Sequence, residues 1–216
     1  MPRHEEKTKS EILNTAVRLF QEKGWDKVKI EDIVKEVGVT RGAFYHYFNS
    51  REHIIAAATD QIFLANNPFV VAEQQEGLNA LEKLRFAIKH NLKFNLNEPE
   101  LMNALKIVVE LPDVFKSDFF FNINTTAPHV EKLLHEGNAQ SIFKVKQPRQ
   151  AAQVCVMLMS SWLNPGIFQV PHEEFIDKLD FMADMWENIC GCPVMDDELK
   201  ALLIHLQQKV IELYKK

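Results

Sequence analysis

The run from Lys29 to Glu52, KIEDIVKEVGVTRGAFYHYFNSRE, constrains this chain more than any other stretch. It predicts two short helices joined by a tight turn, with a third helix starting directly after. Ile30 to Val37 is the first, with Ile33 and Val37 spaced to share one face. Gly38 stands where a helix end calls for a left-handed residue, a conformation glycine adopts cheaply. Val39 fills the elbow, and Thr40 is a good N-cap for a new helix. In that second helix Phe44 and Phe48 are spaced to face inward, which leaves Arg41, Gly42, Tyr45 and His46 facing outward. Two short helices with a glycine in the turn form the helix-turn-helix pattern, whose second helix enters the DNA major groove.

That pattern assigns roles residue by residue. Base edges are read by the early residues of the second helix. Arg41 is placed to donate two hydrogen bonds to a guanine. Gly42 and Ala43 are small and let the backbone approach the groove. Tyr45 and His46 reach bases, thymine methyls or phosphates. Thr40, Tyr47 and Arg51 are placed for phosphate contacts, and Arg51 sits at a helix N-terminus.

The run from Gly38 to Phe48, followed by Ser50-Arg51-Glu52 and preceded by Ala16, Leu19, Phe20, Gly24 and Trp25, resembles the TetR family of bacterial one-component transcriptional regulators. The match covers the first quarter of the chain; beyond it only the length and the all-helical pattern agree. Family members often have Thr or Ser where this chain has Lys29, which cannot cap a helix but can form a phosphate ion pair. The resemblance implies an all-α fold. Residues 1–53 would be a three-helix DNA-binding domain and residues 54–216 a helical ligand-binding and dimerisation domain. It also implies a homodimer on a palindromic operator of double-stranded DNA, released by a small molecule.

Charge bears on this weakly. The chain carries −5 overall, but residues 1–53 carry +1 and the remainder −6. Phosphate contacts must therefore come from a few placed residues and from helix N-termini. Three cysteines make no disulfide framework. No apolar segment follows the charged N-terminus, and the longest fully apolar run, Val154 to Met159, is far short of the roughly 20 residues a membrane helix needs. A cytoplasmic protein without a membrane segment is expected.

The rest of the chain reads as helices. Residues 1–6 are expected to fray, and Lys7 to Lys23 to be amphipathic through Ile12, Ala16, Leu19 and Phe20. Ser50 caps a fourth helix ending near Asn66, where Asn67-Pro68 breaks it. Further helices are expected from Gly77 to Asn97, from Pro99 to before Pro112, and from Asp113 to Glu136 with a kink or break over Asn122 to Pro128. Gly137 to Gln147 reads as a loop. Helices from Pro148 to Leu163, from His172 to Cys190 and from Asp196 to Tyr214 complete the chain. Phe175, Leu179, Met182, Trp186 and Ile189 step like a helix-pairing seam. Paired DNA half-sites call for a two-fold dimer, and the helices 148–163 and 172–190 are expected to form a four-helix bundle between subunits, with Ala151, Ser160 and Ser161 allowing close approach and the final helix as a further candidate for the interface.

Large soft side chains crowd the middle of the chain. Met102, Phe115, Phe119, Phe120, Met157 and Trp162 are candidate walls of a pocket for an apolar or aromatic effector, against the plainer reading that they are core. Cys190-Gly191-Cys192 lacks the further ligands that zinc needs, so no metal or cofactor is expected. Neither His135-Glu136 nor His172-Glu173 is followed by the second histidine of a zinc-protease helix, and no G-x-S-x-G elbow occurs. No enzyme is expected. The alternative is a helical small-molecule or metal sensor acting through a protein partner rather than DNA.

Overall fold

The computed structural model describes residues 2–98, 101–102, 106 and 111–215. All regular structure among them is helical. The chain forms two compact units: residues Met1–Ala65 with Glu98–Phe115, and residues Asn66–Asn97 with Lys116–Lys216.

In the first unit, α1 (Pro2–Lys23) packs against α2 (Ile30–Val37) and α4 (Arg51–Ala65), and α3 (Arg41–Tyr47) packs against α2. The helical face expected of α1 is buried: Ile12, Ala16, Leu19 and Phe20 are at most 1% exposed. Trp25 folds back and stacks on Phe20, with ring centroids 4.7 Å apart. The expected frayed arm is instead helical from Pro2, because proline suits a first helical turn and Glu5 there complements the helix dipole. Ser50 caps α4, its hydroxyl accepting from the His53 amide at 3.2 Å. Ile54, Ile55, Ala58 and Ile62 are its buried side. All of α4 stays with the first unit.

The second unit holds α5 (Pro68–Glu73), α6 (Ala80–Asn97), the helix α7 (Pro112–Phe121) from its residue 116 onward, α8 (Ala127–Ala139), α9 (Pro148–Met157), α10 (His172–Cys190) and α11 (Asp197–Tyr214). The break at Asn67-Pro68 is present, but a short helix follows that was not expected. Asn67 starts it by accepting from the amides of Phe69 and Val70. Helix α6 begins three residues later than expected because Asn79 and Glu82 form a reciprocal cap. The helix expected from Pro99 falls largely outside the described residues.

Two helices carry wide turns. Asn122–Thr126 is π-helical, its closing bond running from the Ala127 amide to the Asn122 carbonyl. This is where a kink was expected. Pro128 has no amide proton, and its ring crowds the carbonyl four residues back, so a wider turn accommodates it. Leu158–Trp162 is a second π turn, which the sequence pattern did not signal.

The core of this unit is one cluster that includes Leu84, Leu133, Leu134, Phe143, Phe175, Leu179, Met182, Trp186 and Leu199. Lys89 ties α6 to the start of α11 through Asp196 at 2.7 Å and Glu198 at 2.8 Å. By composition Arg51–Glu73 could cross a membrane, but half of it is buried inside the protein and Asn67-Pro68 interrupts it.

Candidate nucleic-acid interface

Helix α2 ends as its sequence demands. Gly38 adopts φ +78°, and the amides of Gly38 and Val39 both bond the Val34 carbonyl, at 3.0 and 3.1 Å. A side chain at Gly38 would meet nothing within 4 Å, so the requirement for glycine there is purely one of backbone conformation. Two residues on, the Thr40 hydroxyl accepts from the Ala43 amide at 3.1 Å and starts α3. Phe44 and Phe48 then anchor α3, at 0% and 4% exposure, with ring centroids 5.7 Å apart.

With one side of α3 locked in the core, the other faces solvent. Arg41, Gly42, Tyr45 and His46 are exposed, and Tyr47 is half-buried with its ring edge against His46. Arg41 does not wave freely. Its Nη1 lies 3.1 Å from Glu31 Oε1, and its guanidinium sits over the Tyr45 ring, 5.9 Å from the centroid. Hydrogen bonding to the Tyr45 side chain, and then the Glu31 charge, hold its pKa above the usual arginine value. A guanidinium has five N–H donors, so its outer edge stays free to pair. The Thr40 hydroxyl accepts within the protein and keeps its own proton to donate. A Cβ at Gly42 would meet only the Thr40 hydroxyl, at 3.8 Å.

The other two predicted residues differ in surroundings. Lys29 is exposed and takes the N-cap position of α2, where the Asp32 carboxylate accepts from its amide at 2.9 Å. The lysine side chain takes no part in that bond. Arg51 turns inward: Nε donates to the Val28 carbonyl at 2.8 Å and Nη2 to the Trp25 carbonyl. Those donors brace the connection between α1 and α2. Nothing in residue type separates a bracing arginine from a phosphate-binding one.

The six candidate ligand residues divide between the units. Met102 is buried and Phe115 half-buried in the first. In the second, Phe119 and Trp162 are half-buried, while Phe120 and Met157 are surface side chains at 52% and 37% exposure. Phe119 meets Phe120 edge to face, and Trp162 packs against Phe181. A crevice lined by Ile88, Met159, Trp186, Val194, Met195 and Leu199 is too tight for a water molecule. Burial pushes the Cys155 and Cys190 thiols up to about 12, which leaves them protonated at neutral pH. Among the described residues, no three His, Cys, Asp or Glu side chains are grouped to hold a metal.

Comparison with known proteins bears on the same region. Residues 12–58 match the family model described as bacterial regulatory proteins, tetR family. The biofilm operon icaADBC negative transcriptional regulator IcaR of Staphylococcus aureus (strain Newman) is 23% identical over 158 residues, covering 71% of this chain and 81% of IcaR. The uncharacterised regulator YvdT of Bacillus subtilis (strain 168) is 39% identical over 62 residues, 29% of this chain and 32% of its own. Among solved structures, RolR in complex with resorcinol superposes with a TM-score of 0.65 at 16% identity, covering 94% of this chain and 96% of RolR, which establishes a shared fold. With the helix-turn-helix in place over the matched residues, the N-terminal region of this chain is the one that the TetR family of bacterial regulatory proteins carries, and the fold as a whole is shared with RolR.

Proposed function

We propose that this chain is a cytoplasmic transcriptional repressor. In this reading it binds a palindromic operator as a homodimer and leaves it on binding a small organic effector. The observation that carries the reading is α3 itself. Phe44 and Phe48 fix one side of it in the core, and Arg41, Tyr45 and His46 stand exposed on the other. Arg41 reads a base pair, Tyr45 and His46 contact bases or phosphates, and Thr40, Tyr47 and Lys29 contact the backbone. The open space outside Gly42 admits a phosphate strand. Arg51 supports this surface chiefly by bracing the chain behind it. IcaR, by its name a negative regulator, favours repression over activation.

The test is operator affinity after selecting DNA from a random pool. Arg41→Ala is expected to weaken binding to the selected sequence by about 1–3 kcal/mol and to leave non-specific binding nearly unaltered. Equal affinity of the two proteins for that sequence in a gel-shift titration would remove Arg41 from the reading.

Dimerisation is supported by an apolar face on the second unit. Phe168 and Phe181 are 43% and 61% exposed, Trp162 packs against Phe181, and Lys178 lies over both the Trp162 and the Phe168 rings. Clustered exposed aromatics of this kind mark interaction surfaces. The helix-pairing seam of α10 faces the chain's own core: Phe175, Leu179, Met182 and Trp186 are at most 3% exposed. The remaining face of α10, with Phe181, together with α9, is therefore the surface that a second copy covers. Phe181→Glu is expected to yield monomers in sedimentation at micromolar concentration, with the helical content kept. Dimers that persist unweakened would place the interface elsewhere.

The effector reading draws on the TetR fold and on RolR, whose crystal structure contains resorcinol. Effector binding shifts the population only if the form of the dimer whose two α3 helices are wrongly spaced for the operator binds it more tightly.

A further inference from the structure

Helix α7 ends in a run of three phenylalanines, yet the residue just before them, Asp118, is the one whose chemistry is out of place. It is half-buried, and burial pushes its carboxyl up to about 6, against the opposing pull of a hydrogen bond from Asn122. The Asn122 amide nitrogen donates to Asp118 Oδ2 at 3.1 Å and to the Asp118 carbonyl at 3.0 Å. The Asn122 Oδ1 in turn accepts from the Thr126 hydroxyl at 3.4 Å. The three side chains thus make a polar ladder along one side of the helix. Its upper two rungs bound the π turn Asn122–Thr126, and wide turns of this kind recur at functional positions.

An amide donor orients a carboxylate but does not neutralise it. A poorly solvated carboxylate with such a partner is costly to keep, and it is stabilised by anything that brings it a positive charge or an O–H or N–H donor. Part of Asp118 remains accessible, so a ligand can supply that group. The neighbouring Phe119 is half-buried and offers apolar contact beside the carboxylate.

We propose that Asp118, oriented by Asn122 and Thr126, is the polar anchor of the effector site, and that the effector joins an apolar or aromatic body to a hydrogen-bond donor, an ammonium or a hydroxyl. This rests on the effector reading above and sharpens it. An anionic effector would have to bind against the charge of Asp118 and is expected to be the weakest of the three classes.

Three probes of like size separate the possibilities in calorimetric titration of the full chain: 2-phenylethylammonium, 2-phenylethanol and 3-phenylpropanoate. The ammonium is expected to bind most tightly, the alcohol more weakly and the carboxylate at least tenfold more weakly than the ammonium. Asp118→Asn is expected to reduce ammonium affinity at least tenfold and to narrow the gap between ammonium and carboxylate. It is also expected to raise the melting temperature, since it removes a poorly solvated charge while keeping the shape. Equal binding of all three probes, or an ammonium affinity indifferent to Asp118→Asn, overturns the anchor; if those probes still release operator DNA in a gel shift, the effector reading survives without it. If none of the three binds, the anchor is also overturned, and operator binding in the same gel shift shows whether the DNA reading stands.

Discussion

Replacing Phe44 by alanine is expected to unfold the N-terminal unit and abolish binding to every DNA sequence alike. Phe44 is completely buried, stacks obliquely on Phe48 and meets the edge of Tyr45. Removing a buried phenylalanine ring costs about 3–5 kcal/mol. Whole domains are stable by only about 5–15 kcal/mol, and small ones sit at the lower end. The loss is therefore comparable with all the stability this unit has. Hydrogen exchange resolved along the chain checks it. Amides of α1 to α4 should lose protection while those of the second unit keep theirs. The contrast with Arg41→Ala is diagnostic, because that substitution removes a surface contact and should leave exchange in α1 to α4 intact. Protection of α3 that stays within about 1 kcal/mol of the parent would mean the recognition helix is not held by this ring.

Gly137→Ala is expected to be the most damaging single-methyl change in the second unit. Gly137 lies in α8, where alanine is intrinsically preferred by about 1 kcal/mol. Packing reverses that sign. A Cβ at this position would lie 2.0 Å from Phe143 Cδ2 and 2.5 Å from Cε2. The ring has nowhere to retreat, being 2% exposed within the main core cluster. Nor is its backbone free to move. The amides of Ile142 and Phe143 bond the Gly137 carbonyl at 2.9 and 3.1 Å, and Asn138 holds both the amide and the carbonyl of Val145. Overpacking of this kind costs about 1–3 kcal/mol, occasionally more. Urea denaturation should show the loss as a lower midpoint. Phe143→Ala should cost less in the Gly137→Ala background than in the parent, since it then removes a clash as well as a contact. A Gly137→Ala protein as stable as the parent would show that the loop yields where its hydrogen bonds say it cannot.

Much of the head was legible because its signals are local. The left-handed Gly38, the caps at Thr40 and Ser50, and the inward spacing of Phe44 and Phe48 each involve residues within one turn of each other. Such features form wherever the backbone bends that way, whatever lies elsewhere. The helix ends that were misjudged also have local causes, but ones read in pairs. Asn79 starts α6 only because Glu82 returns its hydrogen bond, and Asn67 turns a break into the start of α5.

Sequence by itself determined the helical class, the helix-turn-helix and which side of α3 is free, because periodicity and capping are properties of a few consecutive residues. Tertiary structure alone decided where Arg51 sends its donors and which face of α10 stays open. A helical repeat says that one face will be buried, but not against what. A side chain's charge, solvation and partners depend on residues that folding brings in from far along the chain.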